Sequence, residues 1–210
     1  MNATRITVVD YKSGNLTSVA LALGALGYEP HVTDRAAEVA AAERVVFPGV
    51  GAAGSAMQNL AAAGLDEALR EVHARGRPIL GICIGCQVLF ETSEEDGGTT
   101  CLGLLSGAVR RFRFPDGVAR KVPHMGWNEV HFLRDHPVLE GVPPESQFYF
   151  VHSYHPASVN ESAVYGEAIY GDVRFPAAVA KDNLVAVQFH PEKSGKPGLQ
   201  LFDNFLRWRP

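Results

Sequence analysis

The sequence predicts an α/β fold in which one mostly parallel sheet is covered by helices on both faces. In the first half of the chain, β-branched runs alternate with segments whose apolar residues recur at helical spacing, which is typical of βαβ units. From Val109 to Val187, short strand-like pieces bounded by Gly, Pro, Asp and Asn predict additional antiparallel hairpins. With 210 residues, 46% of them hydrophobic, the chain can bury one sizeable core, so we expect a single domain over residues 1–210.

The elements of the first half follow in order. The run RITVVD at residues 5–10 predicts a strand, and Asn15 can cap the next helix, whose apolar residues Leu16, Val19, Leu23 and Leu26 precede a stop at Gly27. The runs YEPHVT and RVVFPG predict two further strands on either side of an Ala-rich segment. A helix from Gly54 to Gly76, broken near Gly64, leads to the apolar strand PILGI.

The strand-like pieces of the second half are VRRFRF, NEVHFL, QFYFVHSY, YGEAIYG, PAAVA and LVAVQF. A closing helix is predicted from about Gly198 to Trp208. Because ligands of open α/β sheets bind beyond the carboxyl ends of the parallel strands, functional residues are expected from Asp10, Pro48 and Cys83 onward.

Charge and cysteine content exclude several classes of function. The chain has 19 Lys and Arg against 23 Asp and Glu, a net charge of −4 without a basic block, which argues against nucleic-acid binding. The N-terminus lacks a signal-peptide pattern, and no apolar run reaches the roughly 18 residues of a membrane span, so we expect a cytoplasmic protein. In that reducing compartment the three cysteines, Cys83, Cys86 and Cys101, are expected to be free thiols.

The motif GICIGCQ, from Gly81 to Gln87, predicts a nucleophilic cysteine. A Gly-x-Cys-x-Gly pattern between the strand PILGI and the helix-compatible CQVLF is typical of an elbow that holds a nucleophile on a strained turn. The start of the helix would stabilise a thiolate at Cys83, and the N–H of Ile84 would face a developing oxyanion. Two alternatives stay open: Cys83 and Cys86 could form a redox or metal-binding pair, or both could be structural.

Two more motifs support catalysis. His190 ends the strand LVAVQF, and Pro191 bends the chain so that Glu192 can orient the imidazole, which predicts a Cys-His-Glu triad. The three glycines of FPGVGAAGS, residues 47–55, let backbone amides approach a ligand as part of an oxyanion hole, although an ordinary flexible turn would look the same. No second cysteine pair accompanies Cys83, so we expect no metal site.

Three separated motifs together resemble the class I glutamine amidotransferases, a family with a flavodoxin-like fold: PGVG at Pro48–Gly51, GICIGCQ, and QFHPEKS at Gln188–Ser194. Within that family, three further segments resemble the glutaminase subunits of imidazole glycerol phosphate synthases: DYKSGN at Asp10–Asn15, KVPHMGWN at Lys121–Asn128 and YFVHSYH at Tyr149–His155. The resemblance spans essentially the whole chain.

The resemblance implies a specific chemistry without a cofactor. Cys83 would attack the carboxamide of L-glutamine, His190 would shuttle protons, and Glu192 would orient His190, so that ammonia and then glutamate are released. The implied oxyanion hole comprises backbone groups of Val50, Gly51 and Ile84. The implied substrate-binding residues are Gly51, Gln87, Glu95, His152 and Ser153.

The resemblance also implies a heterodimer. The partner is a (β/α)₈-barrel cyclase subunit, which activates the glutaminase and uses its ammonia to make imidazole glycerol phosphate and aminoimidazole carboxamide ribotide in histidine biosynthesis. The implied docking face comprises Asn15, Met125, Trp127, Asn128, Tyr149 and Lys193. From the sequence alone, Trp127 could equally be a core residue.

Two positions depart from the family pattern. Lys12 stands where glycine is expected, which leaves the shape of the docking loop open, and Cys86 replaces a common methionine, which gives Cys83 a potential disulfide partner under oxidation. Two rival functions remain: another amidotransferase of this class, serving anthranilate, pyridoxal or nucleotide synthesis, and a non-catalytic redox module that uses Cys83 and Cys86.

Overall fold

An eight-stranded mixed sheet organises the chain. The structure, a computed structural model, describes residues 6–12, 14–114 and 120–210. In spatial order the sheet contains β2 (His31–Thr33), β1 (Ile6–Val9), β3 (Arg44–Gly49), β4 (Ile79–Cys83), β14 (Leu184–Val187), β13 (Val173–Lys181), β12 (Val164–Tyr170) and β9 (His131–Phe132). The first five strands run parallel, and the last three add antiparallel pairs at one edge.

Helices cover both faces of this sheet. One face is covered by α1 (Leu16–Ala25) and α6 (Gly195–Arg207), and the other by α2 (Ala36–Ala40), α3 (Ala53–Ala63) and α4 (Leu65–Ala74). A short helix, α5 (Ile84–Gln87), directly follows β4. No helix in the described part of the chain is both long enough and apolar enough to cross a bilayer.

Successive residues of the central strands belong to two separate cores. Val8 belongs to the core that contains Leu23 of α1 and Phe202 of α6, whereas Val9 belongs to the core that contains Leu60 of α3 and Leu69 of α4. Neighbouring side chains on a strand point to opposite faces, and here both faces are covered by helices. This double burial explains why the parallel strands are continuous apolar runs.

Two smaller sheets lie beside the main one. In the first, β10 (Gln147–His152) pairs with β8 (His124–Glu129) in antiparallel register. The second contains β11 (Tyr154–Ala157), β7 (Ala108–Arg111), β5 (Thr92–Ser93) and β6 (Thr99–Thr100). The carbonyl oxygen of Val151 in β10 lies 4.0 Å from Cys83 Sγ at the end of β4, so β10 crosses the carboxyl edge of the parallel strands.

The predicted α/β class is confirmed, with two corrections to the second half. The sequence predicts LVAVQF to be one of the antiparallel hairpin strands, but this piece forms β14, which pairs in parallel with β4. Every residue of β14 is buried, which suits an interior strand rather than an added hairpin. In addition, among the described residues only β9, β12 and β13 add antiparallel strands to the main sheet, whereas the remaining hairpin strands form the two smaller sheets.

The first half matches the predicted boundaries closely. The helix break at Gly64 is confirmed, because this residue has a φ of 67° between α3 and α4. The closing helix begins at Gly195 rather than Gly198. Asn15 precedes α1 as predicted, but the expected cap is wrong, since its side chain makes no capping hydrogen bond. Arg5 of the first predicted strand and Ser13 of the DYKSGN motif lie outside the described residues.

Two leucines give a matched test of this architecture. Leu201 on α6 is fully buried, whereas Leu21 on α1 is 69% exposed. We expect Leu201→Ala to lower the free energy of unfolding by about 2–5 kcal/mol, because it removes buried methyl groups and leaves a cavity. The same change at Leu21 should stay within about 0.5 kcal/mol of the wild type. Urea unfolding measures both, and equal losses would contradict the assigned core.

Candidate active site

Cys83 lies on the sharp turn between β4 and α5. Its φ of 54° and ψ of −107° are strained for any residue other than glycine, so the surrounding structure must hold this conformation. One such support is close packing at Gly85, where a Cβ atom would overlap the carbonyl oxygen of Phe47 in β3. The predicted strand-to-helix elbow is therefore present, and it places the Cys83 thiol at the carboxyl edge of the sheet.

The helix after the elbow is shorter than CQVLF suggested. It is a single turn that ends at Gln87. Because the helix dipole sums aligned peptide units, a single turn contributes mainly through its own first N–H groups, among them that of Ile84. A thiolate at Cys83 therefore needs a second source of positive charge.

His190 is held from three sides just beyond β14. Its backbone N–H donates to the carbonyl of Tyr149 at 2.9 Å, and its own carbonyl accepts a hydrogen bond from Ser194 Oγ at 2.6 Å. Its Nδ1 lies 2.7 Å from Glu192 Oε1, and both side chains have no solvent exposure. Because a carboxylate only accepts, Nδ1 carries the proton, and Nε2 of the neutral ring is left with a free lone pair.

The electrostatics of this cluster favour a charged imidazole. Burial opposes the charge, but the neighbouring Cys83 thiolate and then the Glu192 carboxylate outweigh that effect and raise the pKa of His190 above its ordinary value. Nε2 is buried and makes no hydrogen bond to a described residue. A raised pKa means that His190 keeps its proton at neutral pH when Cys83 beside it is a thiolate.

Gln188 contacts the thiol, although sequence reasoning did not single it out. Its Nε2 lies 3.8 Å from Cys83 Sγ, and its Oε1 accepts a hydrogen bond from Gln87 Nε2 at 3.0 Å. Gln87 Nε2 also donates to the carbonyl of Tyr154 at 2.9 Å, which leaves its buried Oε1 without a partner among the described residues. The sequence carried one signal for Gln188: it is the first polar residue after the apolar run of β14, at the same sheet edge as His190.

A cavity of about 370 Å³ opens beside the thiol. It brings together Cys83 and the predicted residues Val50, Gly51, Ile84, Gln87, Glu95, His152 and Ser153. Its remaining lining, which was not predicted, consists of Pro123, Val151 and Tyr154. A larger groove of about 810 Å³ along residues 132–144 contains none of the predicted site residues, so the smaller cavity is the one that contains the predicted nucleophile.

Glu95 supplies a carboxylate to this cavity. Its Oε2 accepts a hydrogen bond from the N–H of Ala53, the first residue of α3, at 2.7 Å. Burial raises the pKa of Glu95, the bond from Ala53 lowers it in part, and the nearby Asp96 raises it further. A half-buried carboxylate whose charge is incompletely compensated is suited to a cationic group on a ligand.

Behind the cavity, His152 and His124 form a buried hydrogen-bonded chain. His152 Nδ1 lies 2.8 Å from the carbonyl of Tyr154, so this nitrogen must donate. Nε2 of His152 then accepts from His124 Nδ1 at 2.9 Å, and His124 Nε2 accepts from Asn128 Nδ2 at 3.4 Å. Burial lowers the pKa of His152 well below its usual range and that of His124 to about 4, so both rings are neutral.

The six residues of the predicted docking face separate into two groups. The first group is Met125, Trp127, Tyr149 and Lys193. Met125 and Trp127 on β8 are 63% and 56% exposed. The Trp127 ring packs edge-on against the Tyr149 ring at 6.1 Å between centres, and Lys193 Nζ lies 5.8 Å from the centre of the Tyr149 ring. The other two direct their amides inward: Asn128 donates to the carbonyl of Ile169 at 2.9 Å, and Asn15 donates to Glu192 Oε1 at 2.7 Å.

The two departures from the family pattern have simple local consequences. Lys12 has a φ of 64°, in the left-handed region that glycine favours, so the loop takes the backbone shape for which glycine would be the ordinary choice. Cys86 is buried as a free thiol, and its burial, followed by the charge of Cys83, raises its pKa.

Among the described residues, no group of three or more His, Cys, Asp or Glu side chains is placed to hold a metal ion.

The neutral histidine chain predicts a loss of stability in acid. The pKa of His124 is about 4 when folded and about 6.5 when unfolded, so protonation favours the unfolded chain as the pH falls through this window. We expect His124→Gln to be less stable than the wild type at pH 7.5, with a difference that shrinks toward pH 4. Urea midpoints measured between those pH values test this, and parallel curves would contradict it.

Comparison with known proteins gives a consistent assignment. The class I glutamine amidotransferase family matches residues 7–208. Imidazole glycerol phosphate synthase subunit HisH of Dehalococcoides mccartyi is 48% identical over 96% of this chain and 96% of its own length. The subunit HisH of Moorella thermoacetica is 50% identical over 95% of this chain and 93% of its own length.

Solved structures show the same fold at low sequence identity. A crystal structure of a glutamine amidotransferase has a TM-score of 0.74 and 21% identity, covering 96% of this chain and 97% of that chain. A chain of PurLQS from Thermotoga maritima has a TM-score of 0.72 and 20% identity, covering 98% of both chains. With the fold, the elbow and the full-length similarity in agreement, this chain belongs to the class I glutamine amidotransferases and, within them, to the family of imidazole glycerol phosphate synthase HisH subunits.

Proposed function

We propose that residues 1–210 act as one glutaminase domain that hydrolyses L-glutamine and passes the ammonia to a cyclase subunit. The observation that carries this proposal is the convergence of Cys83, His190 and Glu192 at one edge of the sheet, with the thiol opening into a cavity that contains a carboxylate. The similarity to HisH subunits supports the choice of imidazole glycerol phosphate synthase over other amidotransferases.

In the first half-reaction, Cys83 Sγ attacks the carboxamide carbon of glutamine. The imidazolium of His190 gives its proton to the departing ammonia, and a γ-glutamyl thioester remains on Cys83. The N–H of Ile84 and a backbone N–H at Val50 or Gly51 stabilise the tetrahedral oxyanion. In the second half-reaction, His190 Nε2 takes a proton from water, which attacks the thioester and releases glutamate with the free thiol.

The cavity wall complements the amino-acid end of glutamine. Glu95 pairs with the substrate ammonium group. Gln87 Oε1, which has no partner among the described residues, accepts a hydrogen bond from a substrate N–H. The backbone at Ser153 and the neutral ring of His152 complete the wall. A neutral ring suits this position, since a second cation would compete with the substrate ammonium for Glu95.

The exposed group Met125, Trp127, Tyr149 and Lys193 serves as the docking surface for the cyclase subunit. Large exposed apolar side chains beside a lysine match the usual composition of an interface core with a charged rim. The partner is a (β/α)₈ barrel that consumes ammonia while forming imidazole glycerol phosphate and aminoimidazole carboxamide ribotide. Docking at this surface activates the glutaminase, because the inner face of the same hairpin lines the cavity.

A cytoplasmic location fits this proposal, because all three cysteines are free and a reducing compartment preserves a reactive thiol. The rival redox role would require Cys86 to react together with Cys83. The buried Cys86 thiol, with its raised pKa, is poorly suited to that role.

The two cysteines of GICIGCQ provide the first test of the proposed function. In the complex with the cyclase subunit, Cys83→Ala should lower the rate of glutamine hydrolysis by more than about 10³-fold, because it removes the nucleophile. Cys86→Ala, which removes an equally buried thiol three residues away, should leave the rate within about twofold. Coupled detection of glutamate gives both rates, and equal losses would support the redox role instead.

The docking surface provides the second test. Trp127→Ala should weaken binding to the cyclase subunit by about 2 kcal/mol, or roughly 30-fold in Kd, if this ring is the anchor of the interface. Leu133→Ala removes another exposed apolar side chain, 48% exposed, and should not change the Kd. Isothermal titration calorimetry measures both, and an unchanged Kd for Trp127→Ala would place the interface elsewhere.

A further inference from the structure

Asn15 contacts the Glu192 carboxylate from the opposite end of the chain. Its Nδ2 lies 2.7 Å from Glu192 Oε1, across 177 positions of sequence. The same oxygen lies 2.7 Å from His190 Nδ1, whereas Oε2 is buried and has no hydrogen-bond partner among the described residues. Two donors thus converge on one oxygen of a carboxylate that has no solvent exposure.

The backbone of Asn15 is arranged for this contact. Its backbone lies in the left-handed region, with a φ of 79° and a ψ of 2°. Asparagine tolerates this conformation better than most residues that carry a side chain. It stands directly before α1, where an asparagine side chain ordinarily caps the helix, yet it makes no cap. The amide is therefore used for Glu192 rather than for local helix stability.

We propose that Asn15 is a positioning residue, which holds Glu192 so that one carboxylate oxygen orients His190 toward Cys83. This inference deepens the proposed glutaminase function and rests on it. With the imidazole as its only donor, the carboxylate could turn and present either oxygen. A second donor on the shared oxygen selects one orientation and, through it, the direction of Nε2.

The neutrality of the Asn15 amide is part of this role. A lysine or arginine at position 15 would form an ion pair with Glu192, and the carboxylate would then stabilise the His190 imidazolium less. An amide donates a hydrogen bond without a competing positive charge, so Glu192 continues to stabilise the imidazolium. Asn15 therefore gives Oε1 of the buried carboxylate a second donor and leaves the electrostatic effect of Glu192 on His190 intact.

Substitution of Asn15 by glycine tests the contribution of the side-chain amide without changing the backbone conformation. Asn15→Gly keeps access to the left-handed conformation and removes only the side chain. In the isolated chain, the rate at which a glutamine-analogue chloroketone alkylates Cys83 should fall by about 10- to 100-fold, the usual range for a hydrogen bond to a charged group. Asn15→Asp should lower the rate further, because it places a like charge against Glu192.

The pH profile of alkylation distinguishes positioning from a general structural role. In Asn15→Gly the alkaline limb should move to lower pH, because a misplaced Glu192 supports the His190 imidazolium less well. Lys12→Gly is the matched control, since it also replaces a left-handed residue of the same loop and should keep both rate and profile. Circular dichroism checks that each variant is folded.

The outcomes separate the two proposals. If the wild type is labelled at Cys83 neither alone nor in the complex with the cyclase subunit, the glutaminase function fails. If the wild type is labelled, and a folded Asn15→Gly reacts within twofold of it with an unchanged pH profile, the positioning role is overturned. A defect of Asn15→Gly that appears only in the complex with the cyclase subunit also overturns it, and assigns Asn15 to docking alone.

Discussion

The Glu192 carboxylate is fully buried, and its burial determines which groups must lie around it. A buried charge is costly unless it is paired and hydrogen-bonded, and here the partners are the His190 ring and the Asn15 amide. His190 is fixed in turn by backbone bonds to Tyr149 and Ser194. Two distant segments and a hairpin must therefore be in place together before the imidazole can face the Cys83 thiol.

The parallel sheet explains how these segments meet. Strands β3, β4 and β14 are neighbours, so their carboxyl ends deliver the PGVG segment, the Cys83 elbow and His190 to the same edge. The backbone at Cys83 in the elbow is strained and must be held by its surroundings. One contact that holds it is between Gly85 and the carbonyl oxygen of Phe47, which leaves no room for a Cβ atom. Rigid, doubly buried strands are suited to hold such a turn, whereas a mobile loop would relax it.

The hairpin of β8 and β10 carries two kinds of surface on its two faces. Trp127 and Tyr149 are directly paired across the strands and lie on the outer face, whereas His124 and His152 are paired on the buried face. The outer pair offers apolar area to a partner, and the inner pair lines or supports the cavity. Under the proposed docking, a displacement of the hairpin would reach the cavity wall through the strands themselves.

The sequence by itself determined the α/β class, the strained elbow at Cys83, and the grouping of His190 with Glu192, because each of these is encoded within a few adjacent residues. The full-length motifs also identified the cavity residues Gln87, Glu95 and His152, which composition alone would have left as surface or core. Only the tertiary structure decided the contacts of Gln188 and Asn15, the parallel pairing of β14, and the inward direction of Asn128. These depend on contacts between residues far apart in the chain, such as the 177 positions between Asn15 and Glu192, and only packing determines which distant side chains meet.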